Sequence, residues 1–318
     1  MVKVSHKAAN TEGPSAALQE GEYVKLKDLL YMIMLPSGND AAIAVAEHIG
    51  GSVNGFVQLM NDEAKSMGAV NSHFTNPNGL HDPKHYTTSS DLALITREAM
   101  KNSLFRKIVG TCLYHVYRSL PMPVNGIPQE DYINHNKLLL PGSPLAYKGI
   151  NGVKTGFTDE ARECLVSSAE RNGQNLIAVV MKAENTLVYK DTISLLDYGF
   201  KQFTLVKVVE KDVAVGMVIV NNGVSGEVKA VTGEGFHYNV PLSSMASIEK
   251  KIQLGTNIDA PVKKGQKIGT MTFMMESKEV GKISLVADQD VARKSLSWLW
   301  YPIIIAFLYL YAKYQRWL

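Results

Sequence analysis

The run KLKDLLYMIML is apolar on almost every side when wound as a helix, and a second apolar helical run, the Ala-rich DAAIAVAEHIGG, follows it. A helix without a polar face is stable only where other elements cover it all round. The first run is therefore expected to be a buried helix. Between the two runs stands a polar interruption, Ser37-Gly38-Asn39. Polar side chains placed between buried elements need partners or a task. Either Asn39 or Asp40 caps the second helix, or the turn carries chemistry together with residues elsewhere.

Further along, Ser52 reads as the cap of GFVQLMNDEAKSMG, in which Phe56, Met60, Ala64 and Met67 share a face and Gly68 ends the run. The segment NSHFTNPNGLHDPKHYTTSS has the composition of irregular structure, and another helix starts near Ser90. Pro121, Pro123, Pro128, Pro141 and Pro144 exclude a long helix over residues 111–145. CLVSSAER and NLIAVVMKA predict two strands joined at Asn172-Gly173, and TISLLDYGF predicts a short helix. From about residue 204 the texture changes to short β-prone runs separated by Gly, Asn and Lys, the pattern of a small all-β domain. Its lysines read as a solvated face. A chain of 318 residues has room for two domains, and a net charge of +3 argues against a dedicated nucleic-acid binder. Cys112 and Cys164 are the two cysteines; they form one disulfide, or Cys164 is a small buried apolar residue of a strand.

The first residues, MVKVSHKAANTEG, lack the apolar stretch of a secretory signal. At the other end, LSWLWYPIIIAFLYLYA is 17 residues without a formal charge, flanked by Arg293 and Lys294 and by Lys313 and Arg316. At helical rise it reaches roughly 25 Å, short for a bilayer span. Trp298, Trp300, Tyr301, Tyr309, Tyr311 and Trp317 gather at its ends, as interfacial aromatics do. The run predicts a membrane anchor, either a short span or an embedded interfacial helix; a buried terminal helix is the alternative.

A second polar motif, Lys154-Thr155-Gly156, stands at the head of a predicted strand in GVKTGFTDEARECLVSSAERNG. Alternation along a strand puts Lys154 and Gly156 on one side, and Gly156 lets a ligand approach the backbone. Ser-x-x-Lys, Ser-Asp-Asn and Lys-Thr-Gly together form the active-site set of class A β-lactamases and penicillin-binding proteins. Two of the three stand here in the same order, one with Gly in place of Asp. With SGNDAAIAVAEHIGGS, the stretch from FVQLMNDEAKSMG to LALITREAM, HNKLL and LLDYGF, the chain resembles the D-alanyl-D-alanine carboxypeptidases of the low-molecular-mass penicillin-binding proteins. The matching stretches cover most of residues 2–200, and the β-rich segment and terminal run resemble that family's C-terminal region.

The resemblance implies an α/β (α+β) penicillin-binding and β-lactamase-like transpeptidase domain over residues 1–203, an all-β domain over 204–290 and an anchor over 291–318. It implies a bacterial enzyme on the outer face of the cell membrane that removes the terminal D-alanine of peptidoglycan stem pentapeptides, is inhibited by β-lactams and needs no cofactor or metal. Ser37 would pass a proton to the leaving amine, Asn39 would hold a substrate amide, and Lys154 would bias the site's potential. Thr155 would bind the substrate carboxylate, Gly156 would permit close approach, and the N–H of Phe157 would serve as an oxyanion donor. Some members carry an arginine shortly before LLDYGF; here Val188 or Lys190 stands nearby, so carboxylate binding would rest on Lys154 and Thr155.

One element of the set does not fit. Only Ser247-Ile248-Glu249-Lys250 places a lysine three positions after a serine, and it lies after Lys-Thr-Gly rather than before Ser-x-Asn. It reads as coincidence. The resemblance therefore implies an N-terminally truncated member that lacks the nucleophile segment, is poorly stable and cannot acylate. Three rivals compete with this reading. His73, His81, Asp82 and His85 share one loop and could hold zinc. A non-catalytic peptidoglycan-binding or scaffold protein would keep the Lys-Thr-Gly strand without the nucleophile. A β-lactamase would not be expected to carry the β-rich tail.

Overall fold

The computed structural model describes residues 1–116, 123–124, 127–128, 131–242, 248–295 and 300–315. The chain divides into two compact units, Met1–Gln202 and Phe203–Leu318.

The first unit opens with β1 (Val2–Lys3), α1 (His6–Ala9) and β2 (Tyr23–Val24), the two short strands pairing antiparallel. The apolar runs form α2 (Leu26–Met34) and α3 (Asn39–Gly50). In α3 every residue from Asn39 to Ala46 is buried. Its alanines let α1, α2, β1 and α4 (Val53–Ser66) pack closely around it. Leu29, Tyr31, Met32, Leu35, Ile43 and Tyr132 belong to the resulting core. Gly51 closes α3 with φ of 68°, and Ser52 caps α4 by accepting the Gly55 N–H at 3.0 Å. α5 (Ser89–Ala99) is capped by Thr88 and α6 (Ser103–Val109) by Asn102. Four short strands follow: β3 (Leu113–His115) pairs with β6 (Asp131–Ile133), and β4 (Pro123–Val124) with β5 (Ile127–Pro128).

The sheet that matters for the site is antiparallel, β7 (Ile150–Thr158), β8 (Arg162–Arg171) and β9 (Gln174–Ala183), in that order. Asn172 and Gly173 both have positive φ, as a two-residue hairpin of matching twist requires. α7 (Leu187–Gln202) packs on β8 and β9. It is longer than TISLLDYGF suggests, because Val188, Tyr189, Thr192 and Leu196 are all buried along one face. The Lys-Thr-Gly motif also sits in the middle of β7, not at its head. Both cysteines are free and partly exposed, with Cys164 Sγ near the Ala161 carbonyl, so Cys164 is not the buried apolar residue expected.

The second unit is all β apart from its last element. β10 (Phe203–Val209) pairs with β13 (Phe236–Pro241). A six-stranded sheet joins β14 (Glu249–Leu254), β16 (Lys267–Met275), β17 (Lys278–Ala287), β12 (Glu227–Thr232), β11 (Ala214–Asn221) and β15 (Asn257–Asp259), in that order. Phe273 is fully buried and stacks on Phe236 with centroids 4.1 Å apart. Gly281 makes room for that ring: a Cβ there would meet it at 2.4 Å. Lys250 lies on β14, whereas Ser247 lies outside the described residues.

α8 (Trp300–Gln315) ends the described chain. Among the described residues no helix is long and apolar enough to cross a membrane. Sixteen residues reach only about 24 Å at helical rise. Trp298 and Trp317 lie outside the described residues.

The entry to α3 is held by one carboxylate. Asp40 is fully buried, and its Oδ2 accepts Ser15 Oγ at 2.6 Å and Leu18 N at 3.0 Å. Its Oδ1 accepts Ala16 N at 2.9 Å and Ala41 N at 2.8 Å. The charge is stabilised by these four donors and by the start of α3. Asp40→Ala strands three of those donors against the loop, and we expect a loss of about 2–4 kcal/mol, with Asp40→Asn losing less. Urea midpoints check this; an unchanged Asp40→Ala midpoint would refute the clamp.

Candidate active site

The Ser37 turn is dictated from both sides. Pro36 has no N–H and cannot extend α2. The chain then reverses with Ser37 at φ of 66°, a left-handed conformation that costs a non-glycine residue about 1–2 kcal/mol. It is held there because Gly38 N donates to Met32 O at 2.9 Å and Asn39 N to Pro14 O at 2.7 Å. Only glycine fits position 38, where a Cβ would lie 2.9 Å from Asp40 Oδ1 and 3.2 Å from Ala16 N.

β7 brings the second motif to this turn. Lys154 Nζ donates to Ser37 Oγ at 2.8 Å, across 117 positions of sequence, and to the Thr155 carbonyl at 2.9 Å. Among the described residues no carboxylate offsets the burial of this ammonium, and desolvation pushes its pKa from 10.5 down to about 8. The residue as a whole is partly exposed, so the buried part is its charged end. A lysine held by neutral oxygens keeps its field available to an anion from outside.

The remaining sequence-predicted residues fall as follows. Asn39 is the first residue of α3, buried, and its Nδ2 donates to Glu12 O at 2.7 Å. Its amide nitrogen is committed to the preceding loop, and Gly13 allows that approach, since a Cβ there would sit 2.4 Å from Nδ2. Thr155 pairs with Leu165, Gly156 with Cys164 and Phe157 with Glu163 across β7 and β8. The other edge of β7 has no strand partner among the described residues. A Cβ at Gly156 would touch nothing within 4 Å, so the space beside it is open, and Phe157 is 60% exposed. An unpaired strand edge next to a buried ammonium can take an extended peptide by backbone hydrogen bonds and hold its carboxylate.

One residue near the site escaped the sequence reading. His135 N donates to Leu35 O at 3.2 Å, which ties HNKLL to the approach of the Ser37 turn. Burial lowers the imidazole pKa, and the Lys154 charge lowers it further. The quoted motif HNKLL was the available signal, but nothing in its spacing joins it to Ser37. The loop histidines are engaged locally: His73 Nδ1 lies 2.7 Å from Lys84 O, and His85 Nδ1 accepts Thr75 N at 3.2 Å. His81 Nδ1 stands 3.9 Å from Glu160 Oε2. Among the described residues no His, Cys, Asp or Glu group is arranged to hold a metal ion.

A Ser-x-Asn turn meeting a Lys-Thr-Gly strand at one cleft defines the penicillin-binding and β-lactamase class of serine enzymes. Residues 1–185 match the family of D-alanyl-D-alanine carboxypeptidases, and residues 203–293 match the C-terminal domain of penicillin-binding protein 5. The D-alanyl-D-alanine carboxypeptidase DacF of Bacillus subtilis is 32% identical over 92% of this chain and 73% of its own length. DacC of Escherichia coli is 30% identical over 86% of this chain and 66% of its own length. The crystal structure of penicillin binding protein 5 from Haemophilus influenzae, at 28% identity, covers 92% of this chain and 83% of that one with a TM-score of 0.68. The chain belongs to the D-alanyl-D-alanine carboxypeptidase family of serine peptidases. Its architecture is the α/β transpeptidase fold of penicillin-binding proteins followed by the family's all-β domain.

The shifted ammonium has a measurable consequence. The unfolded chain holds the Lys154 proton up to about 10.5, and the folded chain releases it near 8. Between those values the unfolded state binds more protons, so this group's contribution to stability rises with pH, and below about 8 the full cost of burial is present. Lys154→Met should abolish that rise. The difference in urea midpoint between parent and variant should therefore change across this window; parallel profiles would contradict a buried ammonium.

Proposed function

We propose that the Ser37–Lys154 cleft is the substrate cleft of a D-alanyl-D-alanine carboxypeptidase acting on peptidoglycan stem peptides. The observation that carries this reading is the 2.8 Å bond from Lys154 Nζ to Ser37 Oγ beside an open strand edge. A stem peptide would lie along β7 with its terminal carboxylate near Lys154 and the Thr155 hydroxyl. Gly156 gives it room, and Phe157 N–H serves as an oxyanion donor. A serine oxygen attacks the penultimate D-alanine carbonyl carbon, and the amide C–N bond breaks. The serine proton reaches the leaving amine through a network that includes Ser37, and water then hydrolyses the ester. Asn39 serves this reading as an amide holding the substrate or orienting the lysine partner of the nucleophile.

The attacking serine is not among the residues at this cleft. Within the 318 residues only Ser247 precedes a lysine by three positions. We infer that these 318 residues by themselves form no acyl-enzyme. β9 offers an edge without a strand partner among the described residues, which supports a sheet that is complete only with further strands. A non-catalytic peptidoglycan-binding role is the second reading, favoured by the missing Ser-x-x-Lys. We assign residues 1–203 to the catalytic-type domain, 204–290 to the β-rich domain and 291–318 to an anchor.

A fluorescent penicillin should give no covalent band with the 318-residue chain. Extending the chain with a relative's Ser-x-x-Lys segment should restore labelling, and Lys154→Ala in that extended protein should slow acylation about 10²–10³-fold. Labelling of the unextended chain, or an unaffected Lys154→Ala rate, would count against the assignment.

The anchor reading rests on α8. Ile304, Ile305, Phe307, Leu308, Leu310 and Tyr311 are each more than half exposed, an apolar surface that water does not favour. We propose that it lies in the membrane interface on the extracytoplasmic face of a bacterial cell. The chain should cosediment with anionic lipid vesicles, and removal of residues 296–318 should abolish this. Equal cosedimentation of the shortened chain would place the lipid contact elsewhere.

A further inference from the structure

A cleft of about 650 Å³ opens on the all-β unit. Three lysines from different segments line it: Lys211 between β10 and β11, Lys229 on β12, and Lys264 in the turn before β16. None of the three has an ion-pair partner among the described residues. The backbone that carries each is pinned. Beside Lys211, Asp212 N donates to Thr232 O at 2.8 Å and Val213 N to Thr232 Oγ1 at 2.9 Å, while fully buried Thr232 donates to Glu210 O at 2.6 Å. Lys264 N donates to Asp290 Oδ1 at 2.7 Å, and Gly265 N to Ala287 O at 2.9 Å. Lys229 lies on a strand flanked by β11 and β17, and its carbonyl accepts Asp288 N at 3.1 Å.

Two carboxylates share the cleft. Asp212 and Asp288 also line it, and neither is ion-paired to a lysine among the described residues. A simple polyanion would be attracted by the lysines and repelled by both aspartates. A carboxylate on the wall of a cleft attracts an ammonium and forms a charge-assisted hydrogen bond with it. A ligand carrying both signs satisfies both demands.

We propose that this cleft binds a short peptide bearing at least two carboxylates and one free ammonium, with the lysines on the carboxylates and Asp288 on the ammonium. In this family's setting that composition is the peptidoglycan stem peptide, an identity that rests on the proposed function, whereas the charge pattern does not. The site gives the chain a hold on the polymer that is separate from the Lys154 cleft.

The test is calorimetric titration of the full chain with L-Ala-γ-D-Glu-meso-diaminopimelate, which ends before the D-alanines and so is not a carboxypeptidase substrate. Saturable binding is expected, with Lys229→Gln and Lys264→Gln each weakening it about three- to tenfold. With the L-Ala amine acetylated throughout, Asp288→Asn should weaken binding of the peptide whose diaminopimelate amine is free and not of the peptide acetylated there as well. Lys154→Gln should leave this affinity as it is. Three results would overturn the proposal: no saturable binding at millimolar peptide, inorganic phosphate binding as tightly as the peptide, or loss of binding in Lys154→Gln alone. Because penicillin labelling plays no part in these readings, failure here and failure of the catalytic assignment remain distinguishable.

Discussion

An ammonium held between two neutral oxygens organises the first unit. Lys154 Nζ reaches Ser37 Oγ and the Thr155 carbonyl, and no acidic group among the described residues cancels its charge. Burying a charge without a counter-ion is costly, and a fold tolerates it where the charge is needed for a ligand. The same contact joins a helix-lined turn to an edge strand 117 positions later, so it defines the cleft as well as its potential. His135, on a third segment, stands close enough to feel that charge, and its imidazole is held toward the neutral form. A single ammonium with no acidic partner among the described residues, beside an open strand edge, suits a peptide that ends in a carboxylate.

That contact depends on a turn that would not hold its shape alone. Ser37 sits in a left-handed conformation that most side chains avoid, and Gly38 is pressed against Asp40 and Ala16. Asp40 collects donors from residues 15, 16 and 18 and so fixes the loop that supports the turn. Asn39, one residue earlier, fixes residue 12 in the same way. Strain at the serine is thus offset by a buried carboxylate whose donors come from a distant loop. The arrangement is rigid before any ligand arrives, and such preorganisation is what electrostatic catalysis requires.

The second unit shows the opposite use of charge. Apolar side chains alternate inward along β12, β16 and β17, as in Val228, Ala230, Phe273 and Leu285. Lysines on the outward positions look like ordinary solvation, yet β-sheet order and two pinned turns gather three of them around a single concavity. α8 adds an exposed apolar surface at the end of the chain.

Much of this was legible in the order of residues. The apolar runs marked two helices, of which α3 is buried over Asn39–Ala46 and α2 only at Leu29, Tyr31 and Met32; Ser52 and Gly51 marked helix ends, Asn172-Gly173 a hairpin, and the change of texture near residue 204 an all-β segment. These are local signals, set by helical or strand periodicity and by backbone conformations only certain residues adopt. The two motifs were also visible, as words without a distance between them. Tertiary structure decided the rest: the length of α7, which burial extends past its propensity; the commitment of Asn39 to Glu12; the role of Asp40; the nearness of His135; and the gathering of Lys211, Lys229 and Lys264. Each of these depends on contacts between segments far apart in the chain. A periodic pattern records which face of an element is buried, and not what it is buried against.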